Sequence, residues 1–116
     1  MNRKKELKLQ YKQMKKKMGL FTVRSKANKR GYIEAAKDLK SRINMTKFKL
    51  DFGSHPVKSL QDDWNRFGKD NFSIEILEEI KQEENKSEND YKDELTLLEM
   101  IWEERLIMEK IELYKK

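Results

Sequence analysis

The sequence predicts an α+β domain, with one small three-stranded antiparallel sheet flanked by helices and an extra N-terminal helix in front of it. Three observations carry this. Apolar residues recur at helical spacing in four separate stretches. Two runs rich in β-forming residues, Leu20–Arg24 and Tyr32–Ala35, are joined by a polar turn. A third run, Asn71 to Leu77, alternates apolar and polar side chains as a half-buried strand does. The predicted order is α, β, β, α, α, β, α, with a domain boundary between residues 1–18 and 19–116.

Each element has its own signature. In residues 2–17, Leu7, Tyr11 and Met14, with Met18 beyond, make one apolar stripe among many lysines, and Gly19 marks a stop. In the hairpin, Ser25–Gly31 supplies turn residues, with Asn28 suited to a left-handed backbone. Residues 36–48 read as a helix with Leu39 and Ile43 inward, and residues 49–56 as a loop. Pro56 suits the start of the next helix, residues 57–67, where Leu60, Trp64 and Phe67 share a side and Gly68 ends it. In the third strand, Phe72, Ile74 and Ile76 face one way. Residues 81–93 form the most polar stretch and read as a loop. Residues 94–113 read as the longest helix, amphipathic through Leu95, Leu98, Trp102 and Leu106.

The composition narrows function. Without Cys, disulfides and thiolate metal sites are excluded, which suits a reducing cytoplasm, the compartment expected. A single His excludes a His-cluster metal site. No apolar run approaches the roughly 20 residues of a membrane span, and no apolar segment follows the basic N-terminus as a secretory signal would require. The net charge of +6 is unevenly divided: residues 1–70 hold 20 Lys and Arg against 7 Asp and Glu, whereas residues 71–116 hold 7 against 14. The basic half suits a polyanion, with Lys26, Lys29, Arg30, Lys40, Lys47 and Lys58 as candidate phosphate contacts. The acidic half would repel a phosphate backbone and can enter a site only by holding a metal.

The ordered motifs resemble the GIY-YIG nuclease family over residues 18–105. Gly19-Leu20-Phe21 stands where the family has Gly-Ile-Tyr, and Tyr32-Ile33-Glu34 where it has Tyr-Ile-Gly. Asp38-Leu39-Lys40-Ser41-Arg42-Ile43 resembles the helix that carries the family's active-site Arg. Residues 54–80, SHPVKSLQDDWNRFGKDNFSIEILEEI, resemble the His-Pro, Leu-Gln, Trp, aromatic-Gly and Asn-Phe-x-x-Glu-Ile-Leu sequence of small members, and Leu97–Trp102 the late helix bearing a metal-binding Glu.

The resemblance implies a phosphodiesterase dependent on Mg²⁺ or Mn²⁺, acting on DNA in preference to RNA. A carboxylate holds the cation against the phosphate, an Arg neutralises developing charge, and a tyrosine or His serves the water. By position, Tyr32 is the hydroxyl near the water, Arg42 the phosphate contact, His55 a proton carrier or phosphate contact, and Glu99 the metal ligand. Two departures weigh against full activity. Phe21 lacks the first hydroxyl, and Glu34 puts a negative charge where the phosphate should lie, unless a cation or Arg42 offsets it. A further family His would fall near Thr46 and is absent.

Taken singly, Tyr32 reads as a strand aromatic, Arg42 and Glu99 as solvated charges, His55 as a helix cap, and Trp64 and Trp102 as core anchors. Three functions are therefore in play: weak metal-dependent cleavage, nucleic-acid binding or regulation without catalysis, and a protein-interaction module on the same fold.

Overall fold

A computed structural model describes residues 17–81 and 86–115. The expected helix over residues 2–17 falls outside the described residues apart from Lys17. The elements are β1 (Met18–Ser25), β2 (Arg30–Ala36), α1 (Leu39–Phe52), α2 (Lys58–Phe67), a single 3₁₀ turn (Lys69–Asn71), β3 (Phe72–Ile80), α3 (Glu88–Met108) and β4 (Glu112–Leu113). The sheet order is β3-β1-β2-β4. β1 pairs antiparallel with both β2 and β3, and β4 pairs in parallel with Arg30 and Gly31. The expected three-stranded antiparallel sheet is thus corrected to a four-stranded mixed one. The added strand is two residues long and begins where the apolar helical pattern of Leu106 and Ile107 gives way to a left-handed Lys110.

The sheet buries both faces, and strand periodicity divides them. Phe21, Val23, Tyr32 and Ala36 join Leu39 and Leu50 of α1 and Leu60 and Trp64 of α2 in the main core. Leu20 and Ile33 meet Leu106 of α3 on the other face. Each fully buried Leu or Phe here contributes about 1.5–3 kcal/mol of transfer free energy. Met18 packs on Tyr91 and Leu95 in a smaller third cluster.

Helix boundaries differ from the sequence expectation where caps outrank periodicity. Asp38 caps α1, its carboxylate accepting from the Ser41 N–H at 3.2 Å. The helix then runs through the KLDF segment expected as loop and stops at Gly53, which has φ of 83°. α3 starts six residues earlier than residue 94 because Ser87 and Asp90 form a reciprocal capping box. Its outer face is not wholly polar: Leu97, Met100, Ile101, Ile107 and Met108 are exposed. The left-handed residue of the hairpin turn is Lys29, φ 52°, rather than Asn28. Phe72, Ile74 and Ile76 share a face as expected, Ile76 lying opposite Phe21, but Ile76 is exposed. The register between β1 and β3 shifts by one residue between Leu20 and Phe21, a bulge beside Leu77, which packs in the α3 cluster.

The same bulge explains Gly19. A Cβ there would lie 2.0 Å from the Glu78 carbonyl oxygen, so only glycine permits this strand approach. At Gly31 a Cβ would meet side chains only, Ile111 at 3.2 Å and Leu106 at 4.0 Å.

Asp63 of α2 ties the turn end of the hairpin to the C-terminal segment. One carboxylate oxygen accepts from Asn28 Nδ2 at 3.0 Å, Arg30 Nη1 at 3.3 Å and Tyr114 Oη at 2.7 Å. The Arg30 guanidinium also lies over the Tyr114 ring. Burial opposes ionisation of Asp63, but the hydrogen bonds from Tyr114 and Asn28 and the charge of Arg30 outweigh it and hold the carboxyl below its usual range.

Two predictions follow from packing and pairing. Gly19→Ala should cost about 1–3 kcal/mol in urea denaturation, more than Gly31→Ala, because backbone yields less than a side chain; equal losses would remove the close-approach argument. Asp63→Ala should cost about 1–3 kcal/mol by the same measurement, since it leaves three donors without their acceptor.

Candidate active site

The site is built on the edge of β2. Tyr32 and Glu34 are two residues apart on one strand, so both point to the face covered by α1 and α2. The Asp38 cap places Arg42 one turn into α1, above that pair. The Tyr32 hydroxyl donates to Glu34 Oε1 at 3.0 Å. Arg42 donates from Nε to Glu34 Oε2 at 3.0 Å and from Nη2 to Oε1 at 3.1 Å, a two-pronged guanidinium–carboxylate pair. The Glu34 side chain is 16% exposed and that of Arg42 50%, so the carboxylate is the more buried partner and the guanidinium the more solvent-facing one.

His55 completes the cluster from the α1–α2 connection. Its ring meets Tyr32 edge-on, with centroids 5.3 Å apart. Three hydrogen bonds set its position. Its backbone N–H donates to Gln61 Oε1 at 3.0 Å, and Gln61 Nε2 donates to the Leu50 carbonyl at 2.9 Å, which ties the connection to α1. Its Nδ1 accepts from the Val57 N–H at 3.0 Å. The ring proton of the neutral form therefore sits on Nε2, which leaves that nitrogen a donor rather than an acceptor.

Charges at the site act in concert. Burial, the Glu34 charge and the hydrogen bond to Glu34 all raise the Tyr32 hydroxyl well above its ordinary value, with Arg42 opposing and Glu99 adding. Tyr32 is therefore a protonated donor at neutral pH. The hydrogen bonds and charge of Glu34 raise Arg42 further above its already high value. Burial lowers His55, helped by Lys49 and Arg42 and opposed by Glu34.

Tyr32, Arg42 and His55 thus form one connected cluster. Glu99 approaches from the helix on the opposite face of the sheet, and its carboxylate charge is felt at Tyr32. This is possible because β4 covers only the first two residues of β2, which leaves the strand edge open between α1 and α3. Phe21 lies wholly in the core. Thr46, at the absent family His, is buried in the interior.

Of the candidate phosphate contacts, Lys26, Lys29, Lys40, Lys47 and Lys58 are exposed. Arg30 is engaged by Asp63 and Tyr114. The sequence marks Gln61 only as the second residue of the Leu-Gln pair that follows His-Pro.

The carboxylate that would take a hard divalent cation by the family's pattern is Glu99, with water and phosphate oxygens filling the shell, since Mg²⁺ favours few carboxylates. The Glu34 oxygens already accept three hydrogen bonds. Among the described residues no group of three or more His, Asp or Glu gathers as a closed metal cage.

No family model matches the chain, and no curated protein matches it. Solved structures do. The catalytic domain of intron endonuclease I-TevI, in a single-residue mutant form, superposes with a TM-score of 0.66 at 27% identity, covering 85% of this chain and 92% of that one. The catalytic domain of homing endonuclease I-TevI gives a TM-score of 0.66 at 24% identity, covering 85% and 99%. I-TevI is a GIY-YIG nuclease. The chain is similar in fold to the GIY-YIG nucleases. Its fold is accordingly nuclease-like, and its site differs from the GIY-YIG pattern at Phe21 and Glu34.

The environment of His55 gives the domain a pH dependence. The folded value lies below the unfolded one of about 6.5, so the unfolded chain binds the extra proton. The contribution is complete above about pH 6.5 and is lost as pH falls through the folded value. Stability by urea denaturation should therefore hold at pH 8 and drop as pH falls through about 6.5, above the Asp63 transition, and His55→Asn should flatten that drop. An unchanged slope in the variant would contradict it.

Proposed function

We propose that this GIY-YIG domain binds nucleic acid, DNA before RNA, and hydrolyses phosphodiester bonds weakly in a reaction dependent on Mg²⁺ or Mn²⁺. The observation that supports attenuation is the pairing of Glu34 with both Arg42 and Tyr32. A phosphate and a carboxylate offer a guanidinium the same two-oxygen geometry, so Glu34 competes with the scissile phosphate for the same donors. A phosphate that displaces Glu34 leaves a largely buried carboxylate without its partner, which costs binding energy.

In the open form, Arg42 swings outward to hold two phosphate oxygens. His55 donates from Nε2 to a third polar atom, and the Tyr32 hydroxyl orients the attacking water. Glu99 would hold the cation, which supplies charge neutralisation on the phosphoryl oxygens and a more acidic water. The exposed lysines of α1 and of the hairpin turn hold the flanking backbone by charge.

The same carboxylate favours a second reading, a protein that binds nucleic acid and does not cleave it. Nicking of a supercoiled plasmid with Mn²⁺ separates the two. The first reading expects slow nicking by the wild type, loss in Glu99→Ala and Arg42→Ala, and at least a tenfold gain in Glu34→Gly. A Glu34→Gly variant that binds plasmid yet nicks no faster than the wild type, with Glu99→Ala unaltered, establishes the second.

A further inference from the structure

The outer face of α1 carries a feature that neither the core nor the active site uses. Phe48 and Phe52 are 64% and 76% exposed, and Met45, one turn earlier on the same face, is also exposed. The inner face of α1 is already filled by Leu39, Thr46 and Leu50, with Ile43 packed against them. The fold therefore does not require the two phenyl rings. They lie four residues apart, one helical turn, with centroids 5.9 Å apart and planes within 8° of parallel. Two aligned π-faces are held open to solvent on a regular helix.

The flanks of this stripe are basic. At 100° per residue, Lys40 and Lys47 run along one side of it and Arg42 and Lys49 along the other. Asp51 is the one acidic residue within α1. The second flank belongs to the site: Arg42 bonds Glu34, and the charge of Lys49 acts on His55. A strand whose phosphate reaches Arg42 therefore passes directly beside the rings.

We propose that Phe48 and Phe52 form a stacking platform for unpaired bases of single-stranded DNA, whose backbone follows the basic flanks of α1. This rests on the nucleic-acid reading above and names its substrate class. Positive charge alone would suit any polyanion, but a paired duplex turns only base edges outward and offers nothing to a phenyl face. Unpaired bases have free π-faces, and grooves that bind single strands combine cationic tracks with exposed aromatics in this way. The closeness of the two rings leaves no gap for a base between them, so a base stacks on the outer side of the pair.

The test uses the full chain and fluorescence anisotropy with four probes of one sequence: single-stranded DNA, the blunt duplex, single-stranded RNA, and an abasic single strand. The wild type should bind single-stranded DNA more tightly than the other three. Phe48→Ala/Phe52→Ala should weaken single-stranded DNA binding about tenfold or more, with duplex affinity, salt slope and melting temperature unchanged. Phe48→Trp/Phe52→Trp should retain binding, and Lys40→Ala/Lys47→Ala should flatten the salt slope for single strand and duplex alike. Equal losses on single strand and duplex, no loss on either, or tighter binding to RNA or to the abasic strand would each overturn the stacking proposal while leaving nucleic-acid binding intact. Failure of the wild type to bind any of the four would overturn the nucleic-acid reading itself.

Discussion

The Glu34 carboxylate is the constraint around which this site is arranged. It accepts from the Tyr32 hydroxyl and from both prongs of Arg42, so the two donors best placed to meet a phosphate are already satisfied within the molecule. The arrangement solves a problem that the sequence poses. A carboxylate on this strand face would be costly if buried alone, and the guanidinium of α1 removes that cost. Under the proposed function, what stabilises the fold locally would compete with a phosphate, and the proposed activity is set by the balance between an internal anion and an external one.

That balance depends on geometry fixed far from the reacting groups. Gly19 lets β3 approach β1 closely enough to pair, which places β1 at the centre of the sheet and β2 near its edge. The Asp38 cap sets the phase of α1, and with it the position of Arg42 above Glu34. Buried Gln61 pins the connection that carries His55. The short β4 pairs only with Arg30 and Gly31, and the charges of Arg42 on α1 and Glu99 on α3 both act on Tyr32. At the other end, Asp63 fastens the hairpin turn to the C-terminal segment through Asn28, Arg30 and Tyr114.

The hairpin, the two central helices and the third strand were legible because their signals are local: period-two alternation, helical spacing, turn residues and glycine stops. The active-site cluster was legible only through motif order, since no local rule brings Tyr32, Arg42 and His55 together. The missed features are those decided by tertiary contact. Four further residues of α1 read as loop, although Gly53 is what closes the helix, and the capping box starting α3 lies within a stretch that reads as uniformly polar. β4 is two residues long and has no pattern of its own. Arg30, grouped with phosphate contacts by its charge, is held by Asp63, a partner 33 residues away. The direction of Glu34 was not readable from sequence, because a carboxylate next to an expected phosphate site could as easily have faced a metal as an arginine.

The pairing of Glu34 with Arg42 can be observed directly by ¹H–¹⁵N NMR of the arginine Nε–H groups. A guanidinium held by both oxygens of a largely buried carboxylate should show an Arg42 Nε–H that exchanges with solvent more slowly than that of Arg66 on the surface, and Glu34→Gln should speed that exchange. An Arg42 signal exchanging as fast as Arg66 in the wild type, and unmoved by the substitution, would contradict the internal anion on which the account rests.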